Sequence, residues 1–308
     1  MQITKRQHYV WRYYLSQWTD NQTVEGNLFC CRNGKIFFTG LMNIGQENYF
    51  YKFIDISDTD AWWIEKLCIY ENFPIVLKQI DKMWLESYRY PFKLIEYLKS
   101  IGINDEQTFQ EIINQGEESI YCKTEEIGKV YLDKLYKEDC SFYLNFDDKS
   151  DFNLYICEQF FRTKKRLEAL KDSKAFNLDY TKIWGPMRHI FSTNLAFNLT
   201  YRNDKKFMLK IIHNKTDIKF ITGDQPVINK YSTKENQGKV LDKFEFYYPI
   251  TPKLAILLTE KDYKNDELII TDDSKIYEFN DLIFVNSQEQ VYATSKDELE
   301  RYKDMPRD

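Results

Sequence analysis

Glycine and proline are scarce in this chain of 308 residues, which contains ten Gly and seven Pro. Because these residues interrupt helices and strands, their scarcity predicts a fold rich in regular structure. The sequence also lacks the apolar N-terminal segment of a signal peptide, and no apolar run approaches the ~20 residues of a membrane span. These absences predict a cytoplasmic protein with no membrane partner.

Paired cysteines and an excess of basic residues are missing as well. The six cysteines show no C-x-x-C spacing, which argues against a structural zinc site and favours free thiols in a reducing compartment. The formal net charge is −5, from 43 basic and 48 acidic residues. A protein that coats nucleic acid without specificity normally has a basic excess, so that class is disfavoured. One local basic site for a phosphate remains compatible with this composition.

The signatures of common enzymes are absent too. No P-loop, dinucleotide-binding glycine motif, G-x-S-x-G or H-E-x-x-H occurs, and no organic cofactor is expected. Histidine is found only at positions 8, 189 and 213, so a catalytic site with two histidines requires contacts between distant segments.

Aromatic residues, by contrast, make up 17% of the chain, and apolar residues alternate in two strand-like regions. Asn33-Gly34 between two apolar runs predicts a hairpin, and Gly102 and Gly116 are predicted to end helices. The order of elements predicts an α+β fold, with a mixed or antiparallel sheet of N-terminal and C-terminal strands and a helical middle packed on it. The predicted single domain, 1–308, consists of strands in 1–57 and 206–272, helices in 58–201 and C-terminal helices in 274–304.

Two candidate polar clusters lie in the first quarter of the chain. If residues 5–18 begin with a strand, His8 and Arg12 share one face, where an imidazole and a guanidinium could act together. The alternative is a packed histidine that orients a neighbouring loop. Glu65 follows an Ala-Trp-Trp-Ile stretch and is predicted to point inward, where burial would raise the pKa of its carboxyl. The alternative for Glu65 is a solvated helix face.

Two more clusters lie further along. Gln159, Arg162 and Arg166 fall on one stripe of a long helix predicted over 150–172, and a guanidinium there could bind an anion. A helix with a basic outer face is the alternative. Asp224 follows a strand at a sharp turn, where catalytic carboxylates are often exposed, but it could equally cap its own turn.

In this order, the segments resemble the DUF4238 family of bacterial proteins of unknown function. The family pattern opens with Gln-His-Tyr-Val-Pro and later contains Ile-Glu, Gln-x-x-Arg-Thr and Thr-Ser-Asp-Asn-Pro-Val. Trp11 replaces the usual proline, and Gly223 and Gln225 are further departures. The matching positions, within 5 to about 295, are 7–10, 14–15 with Trp18, 47–51, 64–65, Gln159, Arg162, Thr163, 222–227, 249–252, Asn286 and Ala293.

The resemblance implies a stand-alone bacterial protein, since some members resemble single-gene anti-phage defence effectors. By association, this favours a toxin-type nuclease that acts on RNA or DNA in response to a phage-derived trigger. In that hypothesis His8 is the general acid or base, and Glu65 and Asp224 are carboxylates that hold Mg²⁺ or Mn²⁺. The residues expected to bind substrate or phosphate are Arg12, Gln159, Arg162 and Gln225. The competing hypothesis is a non-catalytic sensor or nucleotide-binding protein that uses the same polar cluster.

Overall fold

The computed structural model of the protein describes residues 5–171, 178–201, 206–236, 241 and 243–306. Its helices and strands, in chain order, are β1 (Arg6–His8), α1 (Arg12–Leu15), β2 (Asn27–Arg32), β3 (Lys35–Gly40), β4 (Gln46–Asn48), α2 (Asp58–Cys68), α3 (Ile75–Ser100), α4 (Glu106–Leu135), α5 (Phe146–Phe161), α6 (Lys164–Lys171), α7 (Tyr180–Tyr201), β5 (Met208–Asn214), β6 (Thr222–Gly223), β7 (Ile228–Asn229), β8 (Phe246–Pro249), β9 (Leu254–Thr259), β10 (Ile269–Ile270), α8 (Asp273–Asn286), β11 (Gln290–Ala293) and α9 (Asp297–Glu300).

The strands of the described part of the chain form two larger sheets and one short ladder. The first sheet is antiparallel in the order β3-β2-β11-β6, so it joins N-terminal and C-terminal strands. The second has the order β10-β5-β9-β8-β7 and is antiparallel except for the β10-β5 pair. In the ladder, β1 pairs with β4 and places His8 opposite Gln46.

The helical middle begins and ends at residues with clear local preferences. Ser57 forms a capping box with Asp60 at the start of α2, and the side chains of Asp105 and Asn145 accept backbone N–H groups at the starts of α4 and α5. Helix α5 packs on both α7 and α4. None of the helices within the described ranges is long and apolar enough to cross a membrane.

The predicted α+β class is confirmed, with N-terminal and C-terminal strands in a shared sheet and helices between them. The Asn33-Gly34 hairpin is also confirmed, because both residues have positive φ, 51° and 70°, between β2 and β3. Helix α3 stops just before Gly102, whose φ is +85°. The single sheet that the strand pattern suggested is replaced by the separate sheets described above.

Three local predictions were wrong. Gly116 does not end a helix: it lies inside α4, where a Cβ atom would come within 2.1 Å of the Phe53 ring, so close packing explains the glycine. The helix predicted over 150–172 is divided into α5 and α6 at Arg162 and Thr163. The C-terminal segment predicted to be helical contains β11, whose four residues are all buried between β2 and β6.

Candidate functional site

A cavity of about 210 Å³ lies where the N-terminal segment meets α4 and the end of α5. The N-terminal segment contributes His8 and Arg12, and Arg162 closes the cavity from the end of α5. We call this space the His8 cavity. Its lining residues are His8, Trp11, Arg12, Tyr13, Val24, Glu118, Tyr121, Cys122, Glu125 and Arg162.

Helix α4 supplies one wall through four side chains at helical spacing. Glu118, Tyr121, Cys122 and Glu125 stand at i, i+3, i+4 and i+7, so they form one stripe along the helix. The sequence prediction missed this stripe because it placed a helix break at Gly116. The spacing itself was the signal that could have identified these residues.

His8 is a neutral imidazole at physiological pH. Burial, followed by the positive charge of Arg12, lowers its pKa from the ordinary value of 6.5 to about 4. Its Nε2 lies 3.2 Å from the Leu41 carbonyl oxygen. Since a carbonyl can only accept, this bond places the proton on Nε2 and leaves the lone pair on Nδ1 as the basic position.

Arg162 holds the backbone of His8 in place. Its Nη2 donates to the His8 carbonyl at 2.7 Å, its Nη1 donates to Glu125 at 2.7 Å, and its Nε donates to the Tyr51 hydroxyl at 2.8 Å. The Tyr51 hydroxyl also donates to the His8 carbonyl, at 3.2 Å. With its side chain 1% exposed and all three nitrogens in use, Arg162 is placed to position His8. Arg12 is the more accessible guanidinium, with Nη1 3.0 Å from the Met42 sulfur.

Glu118 is the least satisfied charged group of the cavity. Its Oε2 is buried and has no hydrogen-bond partner among the described residues. Burial raises the pKa of this carboxyl to about 7, and Glu125 adds to the rise while Arg162 opposes it. A carboxyl that is half protonated near neutral pH can give up or accept a proton in a reaction.

The two predicted glutamines lie outside the cavity wall. Gln225 accepts a hydrogen bond from the Thr163 hydroxyl, and its Nε2 donates to the carbonyls of Phe160 and Val227 at 3.2 and 2.7 Å. These bonds join the end of α5 to the loop between β6 and β7. Gln159 is 2% exposed, and no described residue pairs with its Nε2.

Of the two roles left open for Asp224, an exposed catalytic carboxylate or a turn cap, the structure does not show the exposed one. The Asp224 side chain is fully buried, and its two carboxylate oxygens accept backbone N–H groups of Gln288, Glu289 and Gln290 at 2.7, 2.7 and 2.9 Å. The residue therefore fixes the loop that leads into β11. Backbone donors already occupy the oxygens that a metal ion would need.

Of the two positions left open for Glu65, the structure shows the solvated helix face, because the buried side of α2 is formed by Ala61, Ile64 and Cys68. Glu65 lines a surface depression with Lys66 and does not line the His8 cavity. Glu65 and Asp224 therefore do not fit a shared Mg²⁺ or Mn²⁺ site. Within the described ranges, no group of three His, Cys, Asp or Glu side chains is arranged to hold a metal ion.

The comparison of the whole chain with known families agrees with the resemblance of its motifs. A family model described as "Protein of unknown function (DUF4238)" matches residues 6–297. The chain belongs to the DUF4238 family. No curated protein and no solved structure matches it.

This DUF4238 protein also contains a buried charged cluster that the sequence prediction missed. His189 lies with Nδ1 2.9 Å from Glu158 and Nε2 3.5 Å from Glu117, and Glu117 forms an ion pair with Arg188. All four residues are at most 3% exposed. They come from α4, α5 and α7, so no local spacing in the sequence connects them. The sequence feature that could have indicated the cluster is the pair of adjacent basic residues among apolar neighbours in α7.

Tyr121 separates this cluster from the His8 cavity. Its ring lies 4.5 Å from the Arg162 guanidinium and 5.5 Å from that of Arg188, and its centroid is 5.2 Å from the His189 ring. A single aromatic residue of the DUF4238 protein thus contacts both polar groups. Tyr121, which forms part of the cavity wall, packs against the buried charged cluster, and this packing favours a rigid site.

Proposed function

We propose that this protein is a nuclease that cleaves RNA or DNA in the His8 cavity, with His8 as the general base. The observation that carries the proposal is a neutral imidazole that shares a cavity with the Arg12 guanidinium. A neutral imidazole can accept a proton at physiological pH, and an accessible guanidinium can bind a phosphate.

In the proposed reaction, His8 removes a proton from the attacking hydroxyl, which is a water molecule or the 2′-hydroxyl of RNA. The resulting oxygen forms a bond to phosphorus while the bond to the leaving oxygen breaks. Glu118 donates the proton that the leaving oxygen takes up, and Arg12 binds the non-bridging phosphate oxygens. Arg162 is a positioning residue, since its contact is with the His8 carbonyl.

The proposed biological setting is an anti-phage defence or toxin-type effector of the bacterial cytoplasm, released by a phage-derived trigger. Support for this part comes from the family resemblance alone. The proposed chemistry needs no contribution from Glu65 or Asp224, whose placement does not fit a shared metal.

The test is cleavage of end-labelled single-stranded RNA and DNA by the purified protein. His8→Gln and Glu118→Gln are expected to lower the single-turnover rate by roughly 10²-fold or more, the usual contribution of a general acid or base. Glu126→Gln, on the exposed side of α4, is the matched control and should cleave at the wild-type rate. Equal rates for all four proteins, with folding confirmed by circular dichroism, would refute the assignment.

A non-catalytic nucleotide-binding protein is the second candidate. The observation that favours it is that Arg162 and Asp224 are fully engaged with partners inside the protein. In that case nucleoside phosphates should raise the melting temperature, Arg12→Gln should abolish the increase, and no substrate should be cleaved. Cleavage that depends on His8 would contradict it.

A further inference from the structure

A second cavity, of about 510 Å³, lies between the residues that lead into α5 and the strand β5. On the α5 side its lining includes Leu144 and Phe146, whose side chains are 90% and 51% exposed. We call this space the α5–β5 groove. Large apolar side chains that remain exposed beside a cavity are typical of an interaction surface.

Among the residues that the structure describes, the charged side chains that line the groove are lysines: Lys149, Lys206 and Lys210. Burial lowers the pKa of Lys149, and the nearby charge of Lys206 lowers it further. Lys210 has a carboxylate partner, Asp262, at 3.3 Å, but the aspartate is 85% exposed and such surface pairs contribute little. In a protein of net charge −5, this groove attracts an acidic ligand.

One side of the groove is a sheet edge. The N–H of Asn214 donates to the Lys253 carbonyl at 2.9 Å, in register with the pairing of β5 to β9. Because hydrogen-bonded pairs alternate in an antiparallel ladder, Ile212 and Lys210 also direct their backbone groups toward β9. Leu209, which lines the groove, therefore directs its backbone groups away from β9.

That edge is covered only in part, by β10 and by the 3-10 helix Asn265–Leu268, which contacts β5. The neighbouring strand β10 pairs only with His213 and Asn214, at the end of β5. Within the ranges that the structure describes, no backbone hydrogen bond to another strand is made on the outer side of Leu209. Exposed strand edges of this kind accept an added strand from another chain.

We propose that the α5–β5 groove binds an extended acidic peptide segment of a partner protein, which adds to β5 as an edge strand. Its main chain pairs with Leu209, its carboxylates pair with the groove lysines, and an apolar side chain packs on Leu144 and Phe146. This proposal rests on residues outside the His8 cavity and does not depend on nuclease activity.

The probe is a short fluorescein-labelled synthetic peptide in which Glu or Asp alternates with Val, measured by fluorescence anisotropy with the full-length protein. The double variant Lys149→Glu with Lys210→Glu should weaken binding by roughly tenfold or more, since two charge-assisted contacts become repulsive. Leu144→Asp should also weaken it, and its exposure leaves the fold unaffected. Lys123→Glu with Lys137→Glu, both exposed at other positions, is the charge-matched control.

The peptide with alternate backbone nitrogens methylated tests strand addition directly, because it keeps every side chain and loses main-chain donors. Loss of binding on methylation, together with the lysine effect, is the expected result. Three results would each overturn the proposal: no binding of the unmethylated peptide, equal binding by the methylated one, or tighter binding of a single-stranded oligonucleotide of equal charge.

Discussion

At the scale of single residues, burial acts in opposite directions on the two titratable groups of the His8 cavity. The charged form of histidine is the protonated one, so burial lowers the pKa of His8 to about 4. The charged form of a carboxyl is the deprotonated one, so burial raises the pKa of Glu118 to about 7. Between these two values His8 is free of its proton while Glu118 retains one. This is the combination that a general base and a general acid need.

The raised pKa of Glu118 predicts a dependence of stability on pH. Between the unfolded value of 4.5 and about 7, the folded protein holds a proton that the unfolded chain releases, so the free energy of unfolding falls as pH rises through this window. Because Gln does not titrate, Glu118→Gln removes this fall in the free energy of unfolding. We expect the variant to be more stable than the wild type at about pH 8, by on the order of 2 kcal/mol, and little different at about pH 5.

Urea unfolding at both pH values checks this prediction, with Glu126→Gln as the exposed control from the same helix. A stability difference that is equal at the two pH values would show that Glu118 is ionised throughout and cannot act as the acid.

Asp224 should matter for folding. Asp224→Ala leaves the N–H groups of Gln288, Glu289 and Gln290, of which the last is buried and the others partly buried, without their acceptor, which should cost roughly 3 kcal/mol of unfolding free energy. Urea unfolding measures the loss. Glu289→Ala, which removes a partly exposed side chain and keeps the backbone donor, is the matched control and should change stability far less. An Asp224→Ala protein of wild-type stability that lacks cleavage would instead support a catalytic role.

At the scale of elements, α4 is the scaffold of the site. It carries the stripe that lines the His8 cavity, and it carries Glu117 of the buried cluster on a neighbouring face. Its course past Gly116 depends on close packing against Phe53, whose N–H also donates to the Ile113 carbonyl of α4 at 2.9 Å. The geometry of the cavity therefore depends on this contact.

Gly116→Ala tests the contact. Alanine favours a helix by about 1 kcal/mol over glycine, so an isolated helix would gain stability. Here the new methyl group meets the ring of Phe53, which is 5% exposed and packs against Tyr88 with centroids 4.9 Å apart. We expect a net loss of roughly 1–2 kcal/mol in unfolding free energy, because overpacking outweighs propensity.

The double variant Gly116→Ala with Phe53→Leu provides the control for this loss. The smaller side chain should leave room for the methyl group, so the cost of Gly116→Ala should largely disappear in the Phe53→Leu background. An equal cost in both backgrounds would mean that the ring does not set the requirement for glycine.

At the scale of the whole molecule, local patterns predicted the fold class and several elements. Asn33-Gly34 specified a hairpin because both positions need positive φ, and the apolar spacing of 58–201 specified helices. The strand β11 was missed because its residues are buried on both sides of a sheet and show no alternation. The division of strands between separate sheets depends on tertiary packing, which a local pattern does not encode.

The site was predicted less completely than the fold. His8, Arg12 and Arg162 do share a cavity, although Arg12 begins α1 and does not share a strand face with His8. Glu65 and Asp224 do not line it, because motif order carries no information on whether a side chain faces a cavity, the solvent or the backbone. Glu118 was missed although its helical stripe was visible in the sequence.

In the proposed mechanism, His8 and Glu118 act as base and acid in phosphodiester cleavage. The pH dependence of single-turnover RNA cleavage tests it most directly. We predict a bell-shaped profile that rises through about pH 4, as His8 loses its proton, and falls through about pH 7, as Glu118 loses its own. Glu118→Gln should cleave slowly and lack the alkaline limb. A wild-type profile that stays flat from about pH 5 to about pH 9, or that is unchanged in Glu118→Gln, would refute these roles of His8 and Glu118.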